Sequence, residues 1–324
     1  MPEFAAKVTL LKTGAAWSLT LPLLTGCLSS SDNNVNDPAG PAPQTITIPF
    51  KAMVVSEPVA CGQTYTGLGT SGTHVTIADF RLFVHDVKFV TDQGQEIPVT
   101  LNAEHPSQNS RVAQLDFRNT IGCETGADAN PNFNDAITGS AVIDPRVSIS
   151  DIRFTLGVPA DLNHQNQADA DEPLRNPGMA TGMAWNWQGG YKFTGLDVWP
   201  VGGIVRPSNP EWSNTKWNVH LGSTNCPTTV SELQAGTSPE PCGHPNRKEV
   251  TLPLGALALD AFAVQLDYAE LVASSNLGQD DGGQAGCMSG QGDPECEQIL
   301  PKFGLAWGEA PAGSQSVFSL VKVR

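Results

Sequence analysis

The strongest constraint on the fold is a repeated pattern. Short runs of β-forming residues, each closed by Gly, Pro, Asn or Asp, follow one another with almost no helical periodicity between them. The clearest run is 79–90, where Arg81, Phe83, His85, Val87 and Phe89 share one face if the period stays at two. Further strands are expected at 45–55, 96–101, 141–143, 152–158, 191–198, 216–221, 249–254, 261–268 and 314–323, with a turn at Asp92-Gln93-Gly94. Many short strands with turns between them predict an all-β domain, a disulfide-tied antiparallel β-sandwich with long irregular loops. One helical turn is expected at 255–260. Residues 159–183 and 278–297 carry no strand pattern, and loops of that length in a compact domain are functional or disordered.

The start of the chain reads as a targeting signal. Lys7 and Lys12 precede an apolar stretch at 15–24, and Leu24-Thr25-Gly26-Cys27 fits a lipobox. Residues 1–26 are therefore expected to be a lipoprotein signal peptide and Cys27 the lipidated residue. Residues 27–44, rich in Ser, Asn, Asp and Pro, would be a flexible tether, and 45–324 the folded domain. Leu28 follows the cysteine, so no aspartate signals inner-membrane retention. The expected location is the periplasm or cell surface, lipid-anchored at the outer membrane, with membrane contact only through the anchor.

Six cysteines remain after Cys27, an even number suited to disulfides in an exported chain. Fifteen connectivities are possible. The spacing favours Cys287–Cys296 and Cys226–Cys242 as local loops, leaving Cys61–Cys123. No C-x-x-C spacing supports a zinc or iron–sulfur site. Removal of residues 1–26, which hold Lys7, Lys12 and Glu3, leaves 16 basic and 32 acidic residues and a net charge of −16. That balance argues against nucleic acid as a partner.

Three histidines stand in suggestive contexts. His85 lies among apolar neighbours on the 79–90 strand, and taken alone it reads as a core imidazole held by a hydrogen bond. His164 sits in a polar loop just after a strand. His220 closes the run Lys216-Trp217-Asn218-Val219-His220, with Cys226 pinning the chain just beyond it, a rigid position for a ligand. Trp185 and Trp187 point to one side if 183–188 is extended; by composition alone such a pair is core or a sugar-stacking platform. Met288 is a soft donor beside Cys287, although a packed or exposed loop methionine is the simpler reading. The acidic clusters at 169–172 and 280–281 lack ordered calcium-loop spacing and read as solvated loops. No nucleophile elbow, H-E-x-x-H helix, phosphate loop, dinucleotide-binding glycine set or C-x-x-C-H haem motif is present.

The phrases Trp185-Asn186-Trp187-Gln188, His220-Leu221-Gly222-Ser223 with Cys226, Asn163-His164, His85-Asp86-Val87 and Cys287-Met288-Ser289-Gly290 with Asp293-Pro294-Glu295-Cys296 change that balance. Together they resemble the MbnP-like copper-binding family, the four-cysteine member of a paired metalloprotein system, over most of residues 45–324. Asn225 stands where the family pattern leads one to expect glycine. The resemblance implies a copper site built from two or three of His85, His164 and His220 and completed by a tryptophan, Trp185 or Trp187, oxidised to kynurenine. It also implies a partner: a di-haem, cytochrome c peroxidase-like (MbnH-like) enzyme that performs the oxidation. The chain itself is expected to be a metal-binding protein rather than an enzyme, serving copper acquisition or buffering. The alternative is a surface glycan-binding or adhesion module that stacks sugars on the tryptophan pair.

Overall fold

The computed structural model describes residues 40–119, 123, 130–186, 189–227 and 242–323. The expected signal peptide, Cys27, most of the expected tether, Trp187 and Gln188 lie outside the described residues.

Two sheets face each other. In the first, the order is Phe318–Lys322, Phe262–Asp267, Gln44–Val54, Ala136–Ala141 and Thr100–Leu101, with Glu57–Pro58 also pairing Gln44–Val54. In the second, the order is Thr194–Pro200, Thr73–Thr91, Ile149–Leu156 and Lys248–Pro253. Three short strands, Thr64–Leu68, Glu96–Pro98 and Val112–Asp116, add to the long Thr73–Thr91 strand. Phe154 of the second sheet packs edge-to-face on Phe50 (5.7 Å) and Phe318 (5.4 Å) of the first, so aromatic contacts bridge the layers.

The all-β sandwich expectation holds, with local differences. Within the two facing sheets one pair is parallel: Gln44–Val54 runs alongside Phe262–Asp267, with Phe50 opposite Val264. The strand expected at 141–143 is Ala136–Ala141, where it pairs in register with residues 44–49. The run 216–221 contributes only Asn218–Val219, which pairs in parallel with Gly286–Cys287. No helix forms at 255–260. Instead Asp267, accepting from the N–H groups of Ala269 and Glu270, caps a helical turn at Tyr268–Leu271.

The long strand departs from simple alternation in two ways. Residues 77–84 are buried on both faces, because the 159–193 segment covers the face turned away from the first sheet. Arg81 donates to the Thr181 carbonyl at 2.8 Å, and Phe83 packs edge-to-face on Tyr191 at 6.1 Å. Near Asp86, whose φ is 51°, the register with Ile149–Leu156 shifts between His85 and Lys88. This bulge breaks the period of two, so His85 and Phe89 do not belong to one uninterrupted face.

The disulfides are Cys61–Cys123, Cys226–Cys242 and Cys287–Cys296, the pairing that the spacing favours. The two long loops are built into the fold. The first holds a 3-10 turn at Ala160–Leu162 and buried Asn163, His164 and Leu174. The second holds the Gly286–Cys287 strand and a helical turn at Cys296–Ile299.

Candidate metal centre

Trp185 stands at the base of a small hairpin. Ala184 bridges Tyr191, the Trp185 N–H donates to the Gly190 carbonyl, and the chain turns at Asn186, which accepts from the N–H groups of Gly189 and Gly190. Trp187 lies outside the described residues, so the expected same-side pairing of Trp185 and Trp187 is carried here by Trp185 alone. The Trp185 ring is half-buried and lies against Gly222. A Cβ at that glycine would stand 2.4 Å from Cζ3, so only a residue without a side chain permits the contact. Trp185, Ser223, Thr224, Asn225, Cys226 and Met288 are among the residues lining an open cavity of about 630 Å3.

His220 follows the Asn218–Val219 strand, and its N–H donates to the Cys287 carbonyl. Ser289 ties down the next step: its hydroxyl donates to the His220 carbonyl and accepts from the Gly222 N–H. The imidazole is 5% exposed, and its Nε2 lies 2.9 Å from Oδ2 of Asp197, itself 2% exposed. A carboxylate only accepts, so Nε2 carries the proton and the lone pair of the neutral ring sits on Nδ1. Nδ1 is buried and has no hydrogen-bond partner among the described residues. Asp197 also accepts from the Val219 N–H at 3.3 Å, and the Lys216 ammonium approaches it to 3.7 Å.

The same tautomer argument applies at His85. Nδ1 lies 2.9 Å from the Gly157 carbonyl and must donate, which leaves the lone pair on Nε2. Burial, with a further contribution from the charge of Arg247, lowers its pKa to about 4, so the ring is neutral at neutral pH. His85 lines a different cavity, of about 490 Å3, with Arg111, Asp161 and Arg247; none of its lining residues belongs to the Trp185 cavity.

At His164 the lone pair is engaged. Oδ1 of Asn163 accepts from the Tyr191 N–H, so the amide presents its NH2 group to Nε2 of His164, 3.1 Å away, and to the Ser223 hydroxyl. That nitrogen also lies 3.4 Å from Sγ of Cys242. The donor atoms of His164, Cys226 and Cys242 converge within 4.8 Å, but both sulfurs belong to one disulfide and are not thiolate ligands.

The structure thus gathers Trp185, the His220–Gly222 segment, Ser289 and the His164–disulfide contact into one region and sets His85 at another cavity. Among the described residues the three histidines do not converge as a trio within 4.8 Å. Two residues hold the arrangement together: Asp197, which sequence reasoning missed and which orients His220, and Asn163, whose phrase was noted but whose link between His164, Ser223 and Tyr191 was not. The acidic residue inside the apolar 194–200 strand was the available signal for the first.

The MbnP family model matches residues 43–289. The chain belongs to the MbnP family. Its structure is similar to that of MbnP from Methylosinus trichosporium, with a TM-score of 0.72 and 26% identity, covering 87% of this chain and all of that one. No match was found among curated protein sequences. The family match spans the Trp185 hairpin, His220 and the Cys287 strand alike.

Proposed function

We propose that this MbnP-family chain is an exported, lipid-anchored copper-binding protein, and that oxidation of Trp185 or Trp187 to kynurenine completes its site. The observation that carries the reading is the buried Nδ1 of His220, which lacks a partner among the described residues while Asp197 fixes the opposite nitrogen. A carboxylate holding the far N–H of a ligating imidazole is the arrangement metal sites favour, because it sets the tautomer and raises the basicity of the ligand. His85 has a neutral ring with a defined lone pair but lines the separate cavity, so the ligand set proposed here starts from His220. His164 offers a second nitrogen once Asn163 yields it.

Intact indole is a poor ligand, since its N–H is a donor only. Opening the five-membered ring gives an aniline nitrogen and a ketone oxygen, and copper suits such nitrogen donors beside imidazole. The protein holds Trp185 at the rim of an open cavity, between the Asn186 turn and Gly222, where a partner can reach it. A di-haem, MbnH-like enzyme in the same compartment would carry out the oxidation. This chain would then be its substrate and not itself an enzyme, with copper acquisition or buffering as the outcome.

The decisive experiment is intact and peptide mass spectrometry of the protein from its native host, with copper quantified in the same sample. A tryptophan-to-kynurenine mass change at Trp185 or Trp187 with near-stoichiometric copper supports the reading. Two intact tryptophans without copper overturn it and favour glycan stacking on the tryptophan pair.

A further inference from the structure

A second cavity, away from Trp185, has a different chemistry. It encloses about 280 Å3 between the Ser274–Asp281 turn and the end of the Cys287–Cys296 loop. Its lining includes the carboxylates Asp281, Glu295 and Glu297 and no Lys, Arg or His. Ser275, 5% exposed, lines it with a hydroxyl that has no hydrogen-bond partner among the described residues, and the buried Oε2 of Glu295 has only the neighbouring Asp293 carboxyl to share a proton with. Behind them lies Asp280, fully buried. Arg206 holds its Oδ1, and its Oδ2 has no partner among the described residues. Leaving a buried carboxylate oxygen unsatisfied is costly, and several such oxygens in one place point to a missing positive charge.

We propose that this cavity is a calcium site, with Glu295 and Asp281 as carboxylate ligands and the Ser275 hydroxyl as a neutral one. The donors are all hard oxygens, as calcium prefers and copper does not. The carboxylates alone do not converge as a group of three within 4.8 Å, so the set is mixed, which suits the flexible coordination of this ion. The turn is already shaped. Asp281 donates its N–H to Oε1 of Glu295 at 2.6 Å and accepts from the Gln279 amide at 2.9 Å, holding the two ligands side by side. Asp280 adds further negative charge beside Glu295, a crowding that a divalent ion would relieve. The site does not depend on the copper reading, because it shares none of its residues.

The test uses the full chain. Calorimetric titration with calcium should show one site, with a Kd of about 0.1–1 mM as in extracellular calcium modules. Ten millimolar calcium should raise Tm by about 3–6 °C over EGTA. Terbium luminescence should be sensitised by Trp217, which lines the cavity, and should fall in Trp217→Phe. Glu295→Gln should weaken calcium binding at least tenfold while leaving copper loading unchanged. Identical Tm and no calorimetric heat with calcium or EGTA in the unmutated protein would overturn the proposal, whatever the variants do.

Discussion

Nε2 of His220 donates to Oδ2 of Asp197 across 2.9 Å, and both side chains are buried. The carboxylate comes from the Thr194–Pro200 strand, where Asp197 lies opposite Asp79, and the imidazole from the end of a two-residue strand on a separate small sheet. The pair therefore couples the orientation of a candidate ligand to the rigid second sheet.

Replacing Asp197 with Asn removes the charge but keeps a hydrogen-bonding group. If the carboxylate orients His220 for copper, Asp197→Asn should lower copper affinity about 10–100-fold, as loss of such outer partners does in other metal sites. Competition titration against a chromogenic chelator measures it. An unchanged affinity would remove His220 from the ligand set.

Gly222 is the contact surface for Trp185. Gly222→Ala places a methyl group 2.4 Å from the present position of Cζ3 and must displace the ring or the backbone. A loss of about 1–3 kcal/mol is expected from overpacking. Peptide mapping after exposure to the partner enzyme should show reduced oxidation if Trp185 is the modified residue, and unaltered oxidation if Trp187 is.

His85 gives stability a pH slope. Its folded pKa is about 4 against 6.5 for an ordinary histidine. Below pH 6.5 the unfolded chain takes up a proton that the folded chain resists until about pH 4. Stability is therefore full above 6.5 and falls through that window by at most about 3 kcal/mol. Urea unfolding of His85→Gln from pH 7 to 4 should show a shallower fall than the unmutated protein.

Glu295 works in the opposite sense. Its carboxyl titrates near 7 instead of 4.5, so the folded state holds a proton that the unfolded state releases, and stability declines as pH rises from 4.5 through 7. In EGTA, Glu295→Gln should be more stable than the unmutated protein at pH 8 by about 1 kcal/mol after solvent screening. The two should match at pH 4.5. Thermal melts at the two pH values provide the comparison.

Removing the Cys226–Cys242 bridge, with a sequence separation of 16, should cost about 3 kcal/mol; removing Cys61–Cys123, with a separation of 62, about 4 kcal/mol. Paired Cys→Ser variants followed by denaturant unfolding give both values. The first should also disturb His164, whose Nε2 touches Cys242.

Strands with strong alternation were readable from the sequence because period-two patterning records burial on one face. The 45–55, 249–254 and 261–268 predictions each fall within a residue of the observed boundaries. Legibility failed where both faces are buried or where a bulge intervenes, as around Asp86, because periodicity then carries no information about facing. The Val112–Asp116 strand, buried throughout and preceded by a polar loop, was missed for the same reason. At the site, the residues carrying the family resemblance, Asn163 among them, were legible, but Asp197 and the contacts that join these residues were not. Asp197 and Asn163 act through contacts 23 and 28 residues distant in sequence, which no local pattern encodes.

The parallel pairing of Gln44–Val54 with Phe262–Asp267 has a consequence for how the molecule is made. The first strand of the domain is an interior strand, flanked by Ala136–Ala141 on one side and by a segment more than two hundred residues downstream on the other. A chain delivered amino end first cannot seat that strand until nearly all of the polypeptide is available. Assembly should be slow and concerted, as it is for β-proteins dominated by distant pairings, and should finish only once the Phe262–Asp267 segment has been delivered.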